Sequence, residues 1–129
     1  MRMSTEGPDE TFRRFLSQGR FMIQRSVATG AAIFPPRVMA PRSGETDLEW
    51  IPAGGRAVVH SFTVVAQKPP REGYNICLVD LEEGPRLMSR LVEVNNSEIY
   101  IGMAVQALII RDGEDSVLVF KPRVPGAPP

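Results

Sequence analysis

Four positions in one stretch of the sequence have the spacing of a metal site but not its ligands. They match the two C-x-x-C pairs of a four-cysteine zinc site, and they are Ser26, Thr29, Ala40 and Ser43. A glycine follows each pair at once, Gly30 after the first and Gly44 after the second, and glycine allows the positive φ that such a turn needs. Hydroxyl and methyl groups are poor zinc ligands. The pattern therefore predicts a degenerate zinc-ribbon-like subdomain with vestigial metal positions and no bound zinc.

The same stretch also has the composition of an ordinary loop, because clusters of Gly, Pro, Ser and Thr are typical of loops. A ribbon without metal buries too little surface to be stable unless packing compensates. The stretch is unusually apolar for a loop, since it contains Val27, Ala28, Ala31, Ala32, Val38, Met39 and Ala40. We expect these residues to contact neighbouring elements or a partner in place of the ion.

Other reactive residues are weaker candidates for chemistry. His60 is the only histidine and lies inside a strand pattern, where a histidine is more often structural than catalytic. Cys77 lies in the apolar segment ICLVDL, where a buried, unreactive thiol is the default. The turn with Asp80, Glu82 and Glu83 has the residue types of a cation site, but solvated turn charges are the commoner explanation. We therefore expect no catalytic residue.

A short helix near the N-terminus is the first element that the sequence predicts. Pro8 lies in its first turn, acids follow, and Gly19 ends it, as the preferences of helix termini favour. Its apolar face has the spacing i, i+3, i+4 and consists of Phe12, Phe15 and Leu16. Because so short a helix is marginal alone, this face must pack on its own barrel or on a partner, and the sequence leaves both open.

Alternating segments predict two ribbon strands followed by five barrel strands. The ribbon strands are expected at residues 20–25 and 31–34. The barrel strands, with a bend in the middle of the first, are expected at residues 56–66, 74–81, 86–94, 104–111 and 117–121. Five strands in this order fit an OB-fold barrel. The fold class is therefore mainly β, with an N-terminal helix, a degenerate ribbon and an OB-fold.

Composition sets the outer bounds of the function. The chain has 129 residues, 43% of them apolar, and a formal net charge of zero, which argues against bulk binding of nucleic acid. One cysteine and the lack of a signal-peptide pattern predict a cytoplasmic protein without a membrane span. Six arginines and no acid lie between residues 11 and 44. They form either a local anion site or solvated faces and partners for acids elsewhere, and both explanations remain open.

Several short words in the sequence agree in order and spacing with one known family. They are QR at 24–25, FPPR at 34–37, EW at 49–50, GR at 55–56, HSFTVV at 60–65, LVDLEEGPRL at 78–87 and IGMAV at 101–105. Over residues 12–123 the chain resembles the family called domain of unknown function 35, DUF35, which joins an N-terminal helix, a rubredoxin-like zinc ribbon and an OB-fold. The departure from the family is the loss of all four ribbon cysteines. We divide the chain into a tail and helix (1–19), the degenerate ribbon (20–47), the OB-fold (48–123) and a flexible tail (124–129).

The resemblance implies a non-catalytic accessory subunit. Members of the family are similar to small proteins that associate with thiolase-like, ketosynthase-like or hot-dog-fold hydratase-like enzymes and help to bind acyl-coenzyme A or to bridge subunits. The resemblance implies acyl-coenzyme A as a ligand. Because the ribbon cysteines are missing, we expect no tightly bound cofactor, and a homodimer remains open.

Coenzyme A suits arginines beside an apolar channel, because it joins a polyphosphate to a long arm. The candidates for its phosphates are Arg20, Arg25, Arg37 and Arg42, and those for the channel wall are Phe21, Phe34 and Trp50.

A second function from another class is a single-stranded nucleic-acid-binding OB module. OB-folds often bind single strands with aromatic platforms in a basic groove. The chain has only two lysines and a sequence pI of about 6.6, which makes nucleic acid the weaker expectation. A salt-sensitive shift with oligonucleotides would favour it.

Overall fold

The computed structural model describes residues 6–40, 44 and 46–124. The described residues form one α-helix, eight β-strands and one 3-10 turn. They are α1 (Pro8–Ser17), β1 (Met22–Ser26), β2 (Ala32–Ile33), β3 (Leu48–Pro52), β4 (Arg56–Val65), β5 (Tyr74–Leu81), β6 (Arg86–Ser89), the 3-10 turn Asn96–Glu98, β7 (Ala104–Asp112) and β8 (Asp115–Pro122). The prediction of a mainly β protein with one N-terminal helix is confirmed.

Helix α1 begins and ends as the sequence predicts. Pro8 occupies its first turn and is followed by two acids. Their negative charges stabilise the helix because they lie at the positive end of its dipole. The chain leaves the helix through Gly19, whose φ is 74°, and Arg20 N–H donates to the Phe15 carbonyl at 2.9 Å. Leu16 is buried and the face beside it is aromatic. The helix packs on β1, so within its own unit it covers the first sheet.

The first sheet has the strand order β2-β1-β3, with both pairs antiparallel. Gln24 faces Trp50 across the β1–β3 pair, and Arg25 faces Glu49. The sequence-based division placed β3 with the barrel because its alternating pattern leads into the turn at Gly54. The structure differs at this strand, because alternation predicts a strand without naming its partner.

The second sheet has the order β6-β5-β4-β7-β8. The register of β4 against β5 shifts between Val59 and Ser61, which confirms the bend expected in the middle of the first barrel strand. A bulge of this kind bends and twists its strand. The sheet curls until its edges meet in a parallel bridge between Leu91 and Phe120, supported by the Val92 N–H, which donates to the Phe120 carbonyl at 2.8 Å. The curled five-stranded sheet is consistent with the predicted OB-fold.

Inward side chains of its strands form the core of the second sheet. The most deeply buried are Val59, Cys77, Val79, Val105, Val119 and Phe120, each at most 1% exposed. Because side chains alternate between the faces of a strand, the outward residues of the same strands remain available at the surface.

The chain divides into two compact units. The first contains residues 1–53 and 111–117, and the second contains residues 54–110 and 118–129. The sequence-based boundaries differ from this division in assigning residues 48–53 and the tip of the β7–β8 hairpin to the OB-fold. Of the flexible tail expected at 124–129, all but Val124 lies outside the described residues.

Candidate functional site

The two expected metal-binding segments, 26–30 and 40–44, are called here the first and second knuckle, and each is closed by a hydrogen bond from its glycine. In the first, the Gly30 N–H donates to the Ser26 carbonyl at 2.8 Å. In the second, the Gly44 N–H donates to the Ala40 carbonyl at 3.0 Å. Both glycines have a positive φ, 76° for Gly30 and 68° for Gly44, a conformation that glycine adopts without steric cost. Ser43 lies outside the described residues.

The side chains in these turns do not fit a zinc ion. The Ser26 hydroxyl is fully buried and accepts the Thr29 N–H at 3.3 Å. The Thr29 hydroxyl accepts the Ala31 N–H, also at 3.3 Å, and Ala40 offers only a methyl group. Within the described ranges, no three His, Cys, Asp or Glu side chains cluster closely enough to hold a metal. These hydroxyls serve the turns themselves, and none of the donors is a thiolate or imidazole of the kind that zinc prefers.

A buried glutamine joins β1 to the segment before the second knuckle. The Gln24 side chain is 5% exposed; its Nε2 donates to the Arg37 carbonyl at 2.8 Å and its Oε1 accepts the Arg37 N–H at 2.6 Å. Both hydrogen bonds tie the segment before the second knuckle to β1. The sequence analysis missed this residue, although a polar side chain in an otherwise buried strand is a signal, since buried polar groups are bonded.

The arginines expected to bind phosphates have different surroundings. The Arg25 guanidinium pairs with Glu49 across β1 and β3, with Nε 2.7 Å from Oε1. The Arg20 guanidinium lies over the Phe15 ring, 5.0 Å from its centroid. Arg37 is exposed and has no ion pair in the described part of the chain. Arg42 lies outside the described residues, so of the described candidates only Arg37 has a guanidinium with neither an ion pair nor a ring contact to another described residue.

The aromatic residues expected to line a channel contact helix α1. The Phe12 ring packs edge-on against Phe21 and Phe34, with centroids 6.4 and 5.4 Å apart. The Phe15 ring lies 5.5 Å from Trp50. Such aromatic contacts stabilise a core beyond the area they bury. Phe21, Phe34 and Trp50 therefore all pack against helix α1. In this structure they form the surface that the helix covers and not the wall of a channel.

Three large aliphatic side chains stand exposed around the two knuckles. Val27 is 51% exposed, Val38 70% and Met39 51%. Val27 directly follows β1, and its N–H donates to the Asp47 carbonyl at 3.0 Å. Val38 and Met39 follow Arg37, whose backbone is bonded to β1 through Gln24. We call these three residues the knuckle patch.

The reactive side chains of the second unit are held in structural roles. Asp80 accepts from Arg86 (Nε to Oδ1, 2.6 Å) and lies 3.5 Å from His60 Nδ1. The hydrogen bond from Arg86 lowers the pKa of the Asp80 carboxyl, because it stabilises the charged form. Cys77 is buried as expected, and this burial raises the pKa of its thiol to about 11.

Several known proteins are similar to this chain. A family model described as "ChsH2, C-terminal OB-fold domain" matches residues 50–109. A DUF35 domain-containing scaffold protein of Methanocaldococcus jannaschii is 32% identical over 99 residues, which are 70% of this chain and 70% of that protein. The chain belongs to the DUF35 family. The predicted family is therefore confirmed.

Two further matches carry the names of enzymes. A chain of the solved "Ltp2-ChsH2(DUF35) aldolase" is 31% identical, with a TM-score of 0.82 over 95% of this chain and 100% of that one. The probable enoyl-CoA hydratase alpha subunit of Thermomonospora curvata is 36% identical over 113 residues, which are 84% of this chain but 35% of that protein. This chain thus spans only a minor part of the hydratase subunit that it matches.

No helix among the described residues is long and apolar enough to cross a membrane.

Proposed function

We propose that this DUF35 protein is a non-catalytic accessory subunit of an acyl-coenzyme A enzyme. The observation that carries the proposal is the likeness over nearly the whole chain to the DUF35 chain of an aldolase complex. The scaffold name of its archaeal relative supports the same role. The name of the hydratase relative supports an acyl-coenzyme A enzyme as the partner.

The surroundings of Cys77 and His60, two residue types that enzymes often use in catalysis, also support a non-catalytic role. A buried thiol whose pKa is about 11 is almost entirely protonated at neutral pH, and the thiolate is the nucleophile. His60 faces a carboxylate that Arg86 already occupies. In this proposal the chemistry belongs to the partner, a thiolase-like or hot-dog-fold hydratase-like subunit.

The knuckle patch is the docking surface in this proposal. Aliphatic side chains exposed around two backbone-bonded turns are held at little cost in conformational entropy, and the burial of such residues is what drives most association. Arg37, beside the patch, is the candidate arginine that this proposal assigns to a phosphate of acyl-coenzyme A or an acid of the partner.

Matched substitutions test the docking surface. Val38→Asp and Met39→Glu place charges in the patch, whereas Val124→Asp and Met88→Glu place the same charges at exposed residues of the second unit, 68% and 70% exposed. Binding to the purified partner subunit, measured by calorimetry, should weaken about tenfold or more for the patch variants. Equal effects in both pairs would contradict docking through the patch.

Three further expectations complete the proposal and stay predictions. We expect no zinc in the isolated protein, a cytoplasmic location, and acyl-coenzyme A bound with the help of the partner. A homodimer through the knuckles is the competing use of the patch, and the mass of the free protein by light scattering separates the two.

A further inference from the structure

A small polar cleft lies at the surface of the second unit, where the loop before β5 meets the segment after β6. Its volume is about 250 Å³, slightly below the roughly 300–1,000 Å³ of sites for drug-sized ligands. Its lining includes Glu72, Tyr74, Arg90, Leu91, Asn95 and Asn96. With Asn75, which also lines it, the cleft thus combines one cation, one anion, three amides and one aromatic ring.

A buried asparagine fixes the floor of the cleft. The Asn75 side chain is 7% exposed; its Nδ2 donates to the Leu91 carbonyl at 3.0 Å and its Oδ1 accepts the Leu91 N–H at 2.7 Å. The same Nδ2 donates to Asn96 Oδ1 at 3.0 Å, and Asn96 Nδ2 donates to the Gly73 carbonyl at 2.9 Å. Strand β5, the segment after β6 and the 3-10 turn are therefore joined by side-chain hydrogen bonds, and such a satisfied network is rigid.

The groups that face the ligand space are left free by this network. The Arg90 backbone is fixed, because its carbonyl accepts the Phe120 N–H at 3.0 Å. Its guanidinium has neither an ion pair nor a hydrogen bond in the part of the chain that the structure describes. Tyr74 is 46% exposed. A fixed backbone with an unpaired guanidinium beside an open ring is suited to bind an anion that carries a planar group.

We propose that this cleft binds a nucleoside phosphate, with the phosphate on Arg90 and the base stacked on Tyr74. Aromatic side chains stack on bases of any sequence, and Arg binds phosphate through two parallel hydrogen bonds. The cleft is far too small for a whole acyl-coenzyme A, and because it is open to solvent it would enclose only part of a nucleotide. The nucleotide comes either from a free nucleotide or from the end of coenzyme A, and the second source rests on the proposed function.

Glu72 allows a test in which the proposal predicts tighter binding instead of weaker binding. Its carboxylate lines the same cleft and repels a phosphate held on Arg90. Glu72→Gln removes that repulsion and keeps the size of the side chain. Binding of adenosine monophosphate should therefore become tighter in this variant, a gain that loss of structure does not produce.

The experiment is a calorimetric titration of the full chain with adenosine monophosphate, coenzyme A and inorganic phosphate. Arg90→Gln and Tyr74→Leu should each weaken the binding of both nucleotides about tenfold, while Tyr74→Phe should retain it because the ring remains. The matched controls are Arg86→Gln, in an ion pair with Asp80, and Tyr100→Leu, at the other tyrosine, which lies outside this cleft. Both should bind like the unchanged protein.

Each contrary result overturns the proposal in a distinct way. If adenosine monophosphate does not bind, the proposed site does not exist. If it binds with the same affinity to the Arg90 and Tyr74 variants, the binding site lies elsewhere. Tighter, salt-sensitive binding of a single-stranded oligonucleotide through the same two residues would assign the cleft to nucleic acid. None of these results touches docking through the knuckle patch, because adenosine monophosphate is tested without a partner.

Discussion

Two adjacent glycines precede β4, and only one of them requires glycine. Gly55 has a φ of 83°, and a Cβ there would lie 2.6 Å from Gln106 Nε2. Gly54 has no positive φ, and the nearest atom to its Cβ would be Glu83 Oε2 at 3.6 Å. We predict that Gly55→Ala lowers the free energy of unfolding by about 1–3 kcal/mol, measured by urea denaturation and circular dichroism. Gly54→Ala is the control and should change it by a few tenths of a kcal/mol, so equal losses would contradict this account of Gly55.

Cys77 should resist thiol reagents in the folded protein. Burial raises the pKa of its thiol to about 11, so the folded state favours the protonated form, and the stability this contributes is lost as the pH rises through the folded pKa. We predict slow labelling at pH 8 that becomes fast in denaturant. The measurement is the rate of modification by a chromogenic disulfide reagent, and rapid labelling of native protein at pH 8 would contradict the burial of this residue.

Gln24 is the polar residue on which the first unit most depends. Replacing it with leucine leaves the N–H and carbonyl of Arg37 without their partner, and an unsatisfied buried group costs about 1–3 kcal/mol. We predict that Gln24→Leu destabilises the first unit by that amount. Trp50 is the only tryptophan and pairs with Gln24 across the sheet, so its fluorescence reports on this unit. The exposed Gln67→Leu is the control, and an equal effect there would refute the role of Gln24.

At the scale of elements, each knuckle keeps the hydrogen bond from its glycine although its sequence has no cysteine. We predict that a variant with cysteine at positions 26, 29, 40 and 43 binds stoichiometric zinc and is destabilised by a chelator, because a metal site adds folding energy. The unchanged protein should contain no stoichiometric zinc, and its free energy of unfolding should not change when the chelator is added. Metal analysis of both untagged proteins is the measurement. Zinc in the unchanged protein would contradict the account, and so would a cysteine variant that binds none.

Most elements of the fold could be predicted from the sequence, because the signals for them are local. Pro8 and Gly19 delimit α1, and alternation identifies β5 at the observed residues, 74–81. The pairing of β3 with β1 could not be predicted, since a strand pattern does not identify its partner. The packing of α1 was open for the same reason, as an apolar face does not say which surface it meets.

At the scale of the whole molecule, the residues of the expected ligand site were only partly predictable. Composition identified arginines and aromatics near the ribbon, but it could not reveal that Arg25 pairs with Glu49 or that Trp50 meets Phe15. These contacts depend on register and packing, which a single sequence does not encode in an obvious pattern. The cleft at Arg90 was missed because its members are separated along the chain and share no motif.

The central claim is that this protein works as an accessory subunit of an acyl-coenzyme A enzyme. The most direct test is purification of the untagged protein from its own cells, followed by mass identification of what remains bound. The account predicts recovery of a thiolase-like or hydratase-like subunit in constant ratio, and its loss when Val38→Asp and Met39→Glu are introduced together. Recovery of the protein alone, or with nucleic acid only, would contradict it.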